Sequence, residues 1–455
     1  MNTLKAGVGF ATITPPVGAE MIGWTMRKGL SIGVHDPLCA RALVLDDGHS
    51  PVAIVSVDAA SLNPEITRAV RELVAGAVPI PKGHILLNAS HTHASPSTIP
   101  GYHLTPLTPG HRAFLDVLPH YIAGAIVEAW HSREDAAIGA ASTTVAGVTI
   151  NRRDPALPVD PELGVIRVDD ADGQPMACLV NYACHGTAVG PHDLEWSADW
   201  PGYLARAVED AIPGCACLFL QGAEGDIHPW DAYFGNAHPR FPDGYESAER
   251  LGKAIAGPAF GLFQQIQTTD SVTIGVAGDV VTLPPRPISW TAEEAESYRA
   301  QVERTAQPWT GEVVPDDCPA CMSAQRYPET YLLSGVRHEA HFARHHPAGI
   351  PAELMVVRVN DIVLAANPGE LFSQLGMDIK ARSPYAHTFV LGVSNNWVGY
   401  IPTRDAAEAV LQLPLQEFVD PVKYRQHYGA TITTEVGPSA GELLVEETLR
   451  LIGSV

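Results

Sequence analysis

The chain has 455 residues, 46% apolar and 18% charged, enough to bury a sizeable core in one or two domains and too apolar for a disordered chain. Its 51 acidic against 29 basic residues give a formal charge of −22, which argues against non-specific nucleic-acid binding and against stable docking on an anionic membrane. No apolar run approaches the roughly 18 residues of a membrane-spanning helix, the N-terminus lacks the succession of a secretory signal, and the expected setting is cytoplasmic.

Taken in chain order, short apolar and β-branched runs bounded by Gly, Pro, Asp or Asn predict strands over 8–14, 40–46, 52–58, 84–90, 163–168, 176–184, 215–221, 272–283, 354–366 and 387–394. Helical periodicity falls between them, over 63–76, 110–131, 200–212, 245–267, 291–304, 370–382 and 439–452. Strands alternating with helices imply an α/β chain, a layered mixed and partly parallel sheet flanked by helices. The whole of 1–455 reads as one catalytic domain. Residues 305–350, rich in Pro, Cys, His and Arg and without a clean period, read as an insertion or lid. Most of the seven cysteines (Cys178, Cys184, Cys215 and Cys217 among them) sit inside apolar runs, so no disulfide framework is indicated.

Reactive side chains recur just past the strand runs. Asp58, His91 with His93, Asn151 with Arg152, His185, Glu224 with Asp226, Glu370, and Asn395 through Tyr400 each follow one. Ligand crevices of open α/β sheets lie outside the carboxyl ends of strands, so the active site is expected there. In Ser90-His91-Thr92-His93, an extended segment would project both imidazoles from one face. Two histidine strand ends and a glutamate are the donors Zn²⁺ accepts in catalytic sites, where a coordinated water reaches a pKa near 7. Singly, each residue also has a plain structural reading: Glu370 as a first-turn helix glutamate, Asp226 as a turn residue, Arg152 as a surface ion pair.

Several motifs, in order, resemble the neutral/alkaline (non-lysosomal) ceramidase family. They are Ala6-Gly7-Val8-Gly9 with Thr12-Ile13-Thr14, Met21-Ile22-Gly23-Trp24, Gly33-Val34-His35, Ser90-His91-Thr92-His93, Asn151-Arg152, Ser197-Ala198-Asp199, Gly225-Asp226, Pro368-Gly369-Glu370, and Ser394-Asn395 with Tyr400. The resemblance implies His91, His185, Glu370 and Tyr400 as zinc ligands. It implies His93, Arg152 and Tyr428 in the catalytic pocket, with Tyr424 a rival for Tyr428. The implied reaction is hydrolysis of an N-acyl amide by metal-activated water.

Departures from the pattern bear on the substrate. His228-Pro229-Trp230 stands where the family has Ser-Pro-Asn, so His228, Trp230 and Asp226 are expected to line a differently shaped substrate pocket. The family's immunoglobulin-like C-terminal domain and secretion signal are expected to be absent. The substrate is therefore expected to be a small molecule other than membrane ceramide. Hydrolysis of an ester or sugar-linked group, or a non-catalytic binding role on the same fold, remain open alternatives. Cys318-x-x-Cys321 with His341 and His345 offers the spacing of a second, structural zinc site. The same residues also read as reduced thiols beside an exposed His-rich helix.

Overall fold

The computed structural model describes residues 2–24, 27, 29–98, 108–229, 244–287, 297, 348–411, 427 and 434–455. Most of the 305–350 segment, the expected 291–304 helix apart from position 297, and Trp230, Cys318, Cys321, His341, His345, Tyr424 and Tyr428 lie outside the described residues.

In chain order the main elements are β1 (Lys5–Thr12), β2 (Cys39–Asp46), β3 (Val52–Val57), α1 (Pro64–Ala77), β4 (Ile85–Ala89), α2 (Pro109–His131), β5 (Glu134–Thr144), β6 (Thr149–Asn151), β7 (Glu162–Asp170), β8 (Pro175–Tyr182), α3 (Asp199–Ala211), β9 (Ala216–Gln221), β10 (Ile227–Pro229) and α4 (Tyr245–Phe263). They continue as β11 (Ile274–Leu283), β12 (Ile350–Val359), β13 (Ile362–Ala366), β14 (Glu370–Leu371), α5 (Ser373–Arg382), β15 (His387–Leu391), β16 (Tyr400–Ile401), α6 (Arg404–Leu411) and α7 (Ala440–Ile452). Helix α1 shows how locally these are specified. Asn63 caps it by accepting from the Ile66 amide at 2.7 Å, Pro64 opens it, and Ile66, Val70 and Val74 form its buried stripe.

The expected mixed sheet flanked by helices is present, and the longer strands form two stacked layers. Eight run in the order β9-β8-β7-β5-β1-β2-β3-β4 and four in the order β11-β12-β13-β15. Parallel pairing is confined to β8 with β9, β3 with β4, and β13 with β15 in these sheets. The alternation along each strand explains the stacking. On β2 and β3, Ala40, Ala42, Val44, Val55 and Val57 face α1 to α4, whereas Leu43, Leu45 and Ile54 face the second sheet. On β12, β13 and β15, Met355, Val357, Leu364 and Phe389 meet that layer, while Leu354, Val356, Val363 and Val390 pack on α5, α6 and α7. A strand covered on both faces has no reason to alternate, hence the continuous apolar runs in the sequence.

Two differences from the predicted elements are local. The single run 354–366 is a hairpin, β12 and β13, broken at Asn360, which takes the left-handed φ of 54°. Strand β5 escapes prediction because most of its positions are at least partly exposed and many are Ala, Gly or Thr. It joins the sheet to β1 through only two residue pairs, Lys5 with Asp135 and Ala6 with Glu134. Past that narrow junction the sheet curls, and β9 comes to lie against β3 and β4. Ser56 Oγ donates to the Phe219 carbonyl and the Gln221 amide donates to Asn88 Oδ1. This curl brings the carboxyl ends of β4, β8 and β9 to one place. No helix among the described residues is long and apolar enough to cross a membrane.

Candidate active site

Residues from both sheets meet at those strand ends. His91 follows β4, His185 follows β8, and Glu370 lies in β14, whose two residues pair in parallel with β16, so Glu370 stands in register with Tyr400. That short bridge, not a helix start, positions Glu370; helix α5 begins three residues later.

His91 and His93 converge, but not through extended geometry. His91 adopts φ 62°, a left-handed conformation uncommon for a residue with a side chain, and the two Nε2 atoms end 3.3 Å apart. Gly23, itself at φ 98°, lies beneath the His93 ring, where any Cβ would strike the imidazole. His185 is fully buried, as is nearly all of Arg152.

Hydrogen bonds on the far sides of the rings fix which nitrogens face the centre. His91 Nδ1 lies 2.5 Å from the Ala60 carbonyl, and His185 Nδ1 lies 2.8 and 3.0 Å from the carbonyls of Glu224 and Ile227. A carbonyl can only accept, so each Nδ1 carries a hydrogen, and in the neutral ring each Nε2 presents a lone pair. Those lone pairs point at a carboxylate: His185 Nε2 is 3.1 Å and His91 Nε2 is 3.4 Å from Glu370 Oε2. Tyr400 Oη lies 3.4 Å from His185 Nε2. The second carboxylate oxygen, Oε1, accepts from Trp397 Nε1 at 3.0 Å. Acceptors facing acceptors at this spacing, with carbonyl-anchored imidazoles behind them, are the arrangement that a cation satisfies.

The electrostatics agree. Burial alone would push the Glu370 carboxyl up and the His91 imidazole down, but the two face each other, and that pairing holds Glu370 well below and His91 above its ordinary value; a cation would take the place of the proton between them. Burial, with Arg152 beside it, holds His185 well below its ordinary value. Burial, reinforced by His91 and His185, does the same to His93. All three imidazoles and Glu224 are donors that fit a metal cluster: His91, His93 and His185 form one group whose ligand atoms lie within 4.8 Å of one another, and His91, Glu224 and Glu370 form another.

Beside the cluster, Arg152 Nη1 donates to His228 Nε2 at 2.7 Å and Nη2 donates to the Gly225 carbonyl at 2.6 Å. Its guanidinium also sits 5.0 Å over the Tyr400 ring. His228 stacks on His185 with ring centroids 4.9 Å apart. Asp226, expected to bind substrate, is anchored by both of its carboxylate oxygens. Its Oδ2 accepts from Asn151 Nδ2 at 2.7 Å and its Oδ1 from the Ser373 amide at 2.8 Å, so it ties β6 to the start of α5. It borders a cavity of about 500 Å³ lined also by Arg153, Phe372 and Arg404. Asp58 and Asn395, also strand-end residues, are structural: Asp58 accepts from the Cys39 amide, and Asn395 Oδ1 accepts from the Leu87 amide.

The residue that reading for ligands passes over is Glu224. It stands among the strand-end residues, and its carboxylate signals it there, but no motif singles it out. Burial pushes its carboxyl up to about 8, against the pull of His91 and with the push of Glu370.

Residues 4–229 match the family model described as neutral/alkaline non-lysosomal ceramidase, N-terminal. Among curated proteins, the chain is 27% identical over 258 residues to neutral ceramidase A of Dictyostelium discoideum, covering 50% of this chain and 36% of that protein. It is 28% identical over 328 residues to the neutral ceramidase of Drosophila melanogaster, covering 61% and 46% respectively. The chain thus spans less than half the length of these relatives. The crystal structure of neutral ceramidase from Pseudomonas aeruginosa superposes over 100% of this chain and 75% of that one, with a TM-score of 0.71 at 17% identity, a likeness of fold.

Proposed function

Because this chain belongs to the neutral/alkaline non-lysosomal ceramidase family, we propose that it is a zinc-dependent hydrolase of N-acyl amide bonds, with His91, His185, Glu370 and Tyr400 holding the ion. The observation that carries this reading is the pair of Nε2 atoms, on rings anchored at Nδ1 by backbone carbonyls, 3.1 and 3.4 Å from one oxygen of a buried carboxylate. A zinc ion there supplies Lewis acidity and brings the pKa of water to about 7. His91 and His185 derive from the larger sheet and Glu370 and Tyr400 follow strands of the smaller one, which supports treating residues 1–455 as one catalytic unit.

The chain's own residues divide the remaining work. His93, whose Nε2 lies 3.3 Å from that of His91, stands beside the proposed cation, where its imidazole would assist proton transfer or hold the oxyanion at the reacting carbonyl. Arg152 is held by His228, Gly225 and the Tyr400 ring, so its charge is fixed in place before substrate arrives, as electrostatic stabilisation of a developing oxyanion requires. Tyr428 and Trp230, offered by the sequence for this pocket, lie outside the described residues. The imidazole of His228 occupies buried space against Arg152 and His185 where the family pattern has a small hydroxyl, which favours an acyl amide smaller or more polar than ceramide.

A hydrolysis screen with zinc-reconstituted protein, varying acyl length and amine head group and including esters, tests the reading. Amide turnover that disappears on chelation and in His91→Ala is the expected result. Ester-only turnover would transfer the reading to a different bond, and turnover surviving in His91→Ala would remove the metal from it.

A further inference from the structure

Glu224 stands outside the four-residue ligand set, yet the structure builds a place for its side chain. Its backbone carbonyl accepts from His185 Nδ1, and both oxygens of its carboxylate are buried without a hydrogen-bond partner. Its side chain reaches inward past Gly392, where a Cβ would strike Oε2, so the space exists for the carboxylate because that residue is glycine. The ligand atoms of His91, Glu224 and Glu370 lie mutually within 4.8 Å.

A buried carboxyl with no donor is destabilising, and proteins seldom keep one without a use. Here two carboxyls share one histidine inside the protein, and a cation is what reconciles them. Two donors about 2.0–2.2 Å from one ion stand at most about 4.4 Å apart, so a small side-chain torsion brings Glu224 into range.

We propose that Glu224 is an additional carboxylate donor to the cation bound by His91, His185 and Glu370, giving this centre one more negative oxygen ligand than the set of four. The inference rests on the cation site proposed above. Its chemical consequence is a harder, more oxygen-rich shell that accommodates Mn²⁺ relative to Zn²⁺ better than two imidazoles and one carboxylate would.

Metal-free wild type, Glu224→Gln and Glu224→Ala, each titrated with Zn²⁺ and Mn²⁺ in competition with a chromophoric chelator and melted without metal, test it. The expected result is a loss of at least about tenfold in zinc affinity, a larger loss for manganese, and metal-free variants that melt at or above the wild type. If wild type binds metal and both variants bind within twofold of it, Glu224 is not a ligand and the cation site stands. If both variants melt well below wild type or fail to fold, the carboxyl is structural and the proposal falls. If wild type binds neither ion, the underlying cation site fails with it.

Discussion

Trp397→Phe isolates one hydrogen bond to the proposed metal ligand set. Trp397 Nε1 donates to Glu370 Oε1 at 3.0 Å, which orients the carboxylate so that Oε2 faces the two histidines. The indole is nearly buried among Ile22, Ala60, Ala89 and Val393, so a phenyl ring retains much of its packing. A hydrogen bond to a charged group contributes about 1.5–3 kcal/mol net. At about 1.4 kcal/mol per tenfold, its loss corresponds to roughly a 10- to 100-fold fall in zinc affinity, the range usual for partners that orient ligands. Chelator competition reads the affinity, and melting of the metal-free proteins reads the packing loss separately. Zinc affinity within twofold of wild type in a folded Trp397→Phe protein would refute the argument, because the carboxylate would then need no orientation.

Four further outcomes follow from the same geometry. His185→Ala and Glu370→Gln should each abolish turnover and zinc retention, and Glu370→Gln, which keeps the side chain's volume, should leave circular dichroism native; turnover in either would contradict the assignment. His228→Ser should extend the accepted acyl length, read as a shift in the kcat/KM profile, and an unchanged profile would exclude His228 from the pocket. Gly23→Ala should cost about 1 kcal/mol or more of stability and lower kcat/KM, since alanine is strained at φ 98° and its Cβ meets His93; unchanged melting and turnover would show that the His93 ring needs no such support. Burial pushes the Asp199 carboxyl up to about 7, against hydrogen bonds from the Val189 and Trp200 amides. The folded value lies above the unfolded one of about 3.9, so folded protein keeps a proton that unfolded protein has released, and stability falls as pH rises from about 4 to 7. Urea unfolding of Asp199→Asn should show that slope reduced by up to about one proton, and an identical slope would show that another group carries it.

Much of the architecture is legible in the sequence, for physical reasons that also mark the limits. Runs such as Val52–Val57 announce burial on both faces, but an apolar run does not say whether a helix or a second sheet covers it, so the stacking of β12, β13 and β15 on the larger sheet has no sequence signature. Strand β5, largely part-exposed and poor in β-branched residues, carries too little pattern. Strand-end positions locate His91, His185 and Glu370 because chemistry gathers where strands stop. The details of their meeting are invisible at that level. The parallel pairing of Glu370 with Tyr400 joins residues thirty apart, and the left-handed turn at His91 overrides the extended geometry its spacing suggests. Glu224 is hidden because a lone glutamate in a turn is ordinarily solvated; only its full burial without a partner sets it apart.

Anomalous diffraction from crystals of zinc-loaded protein, measured on either side of the zinc absorption edge, bears most directly on the claim that one divalent cation joins the two sheets. The account places a strong peak about 2.0–2.2 Å from His91 Nε2, His185 Nε2 and Glu370 Oε2. A peak elsewhere with those three atoms unligated, or no peak in protein saturated with zinc, would contradict it.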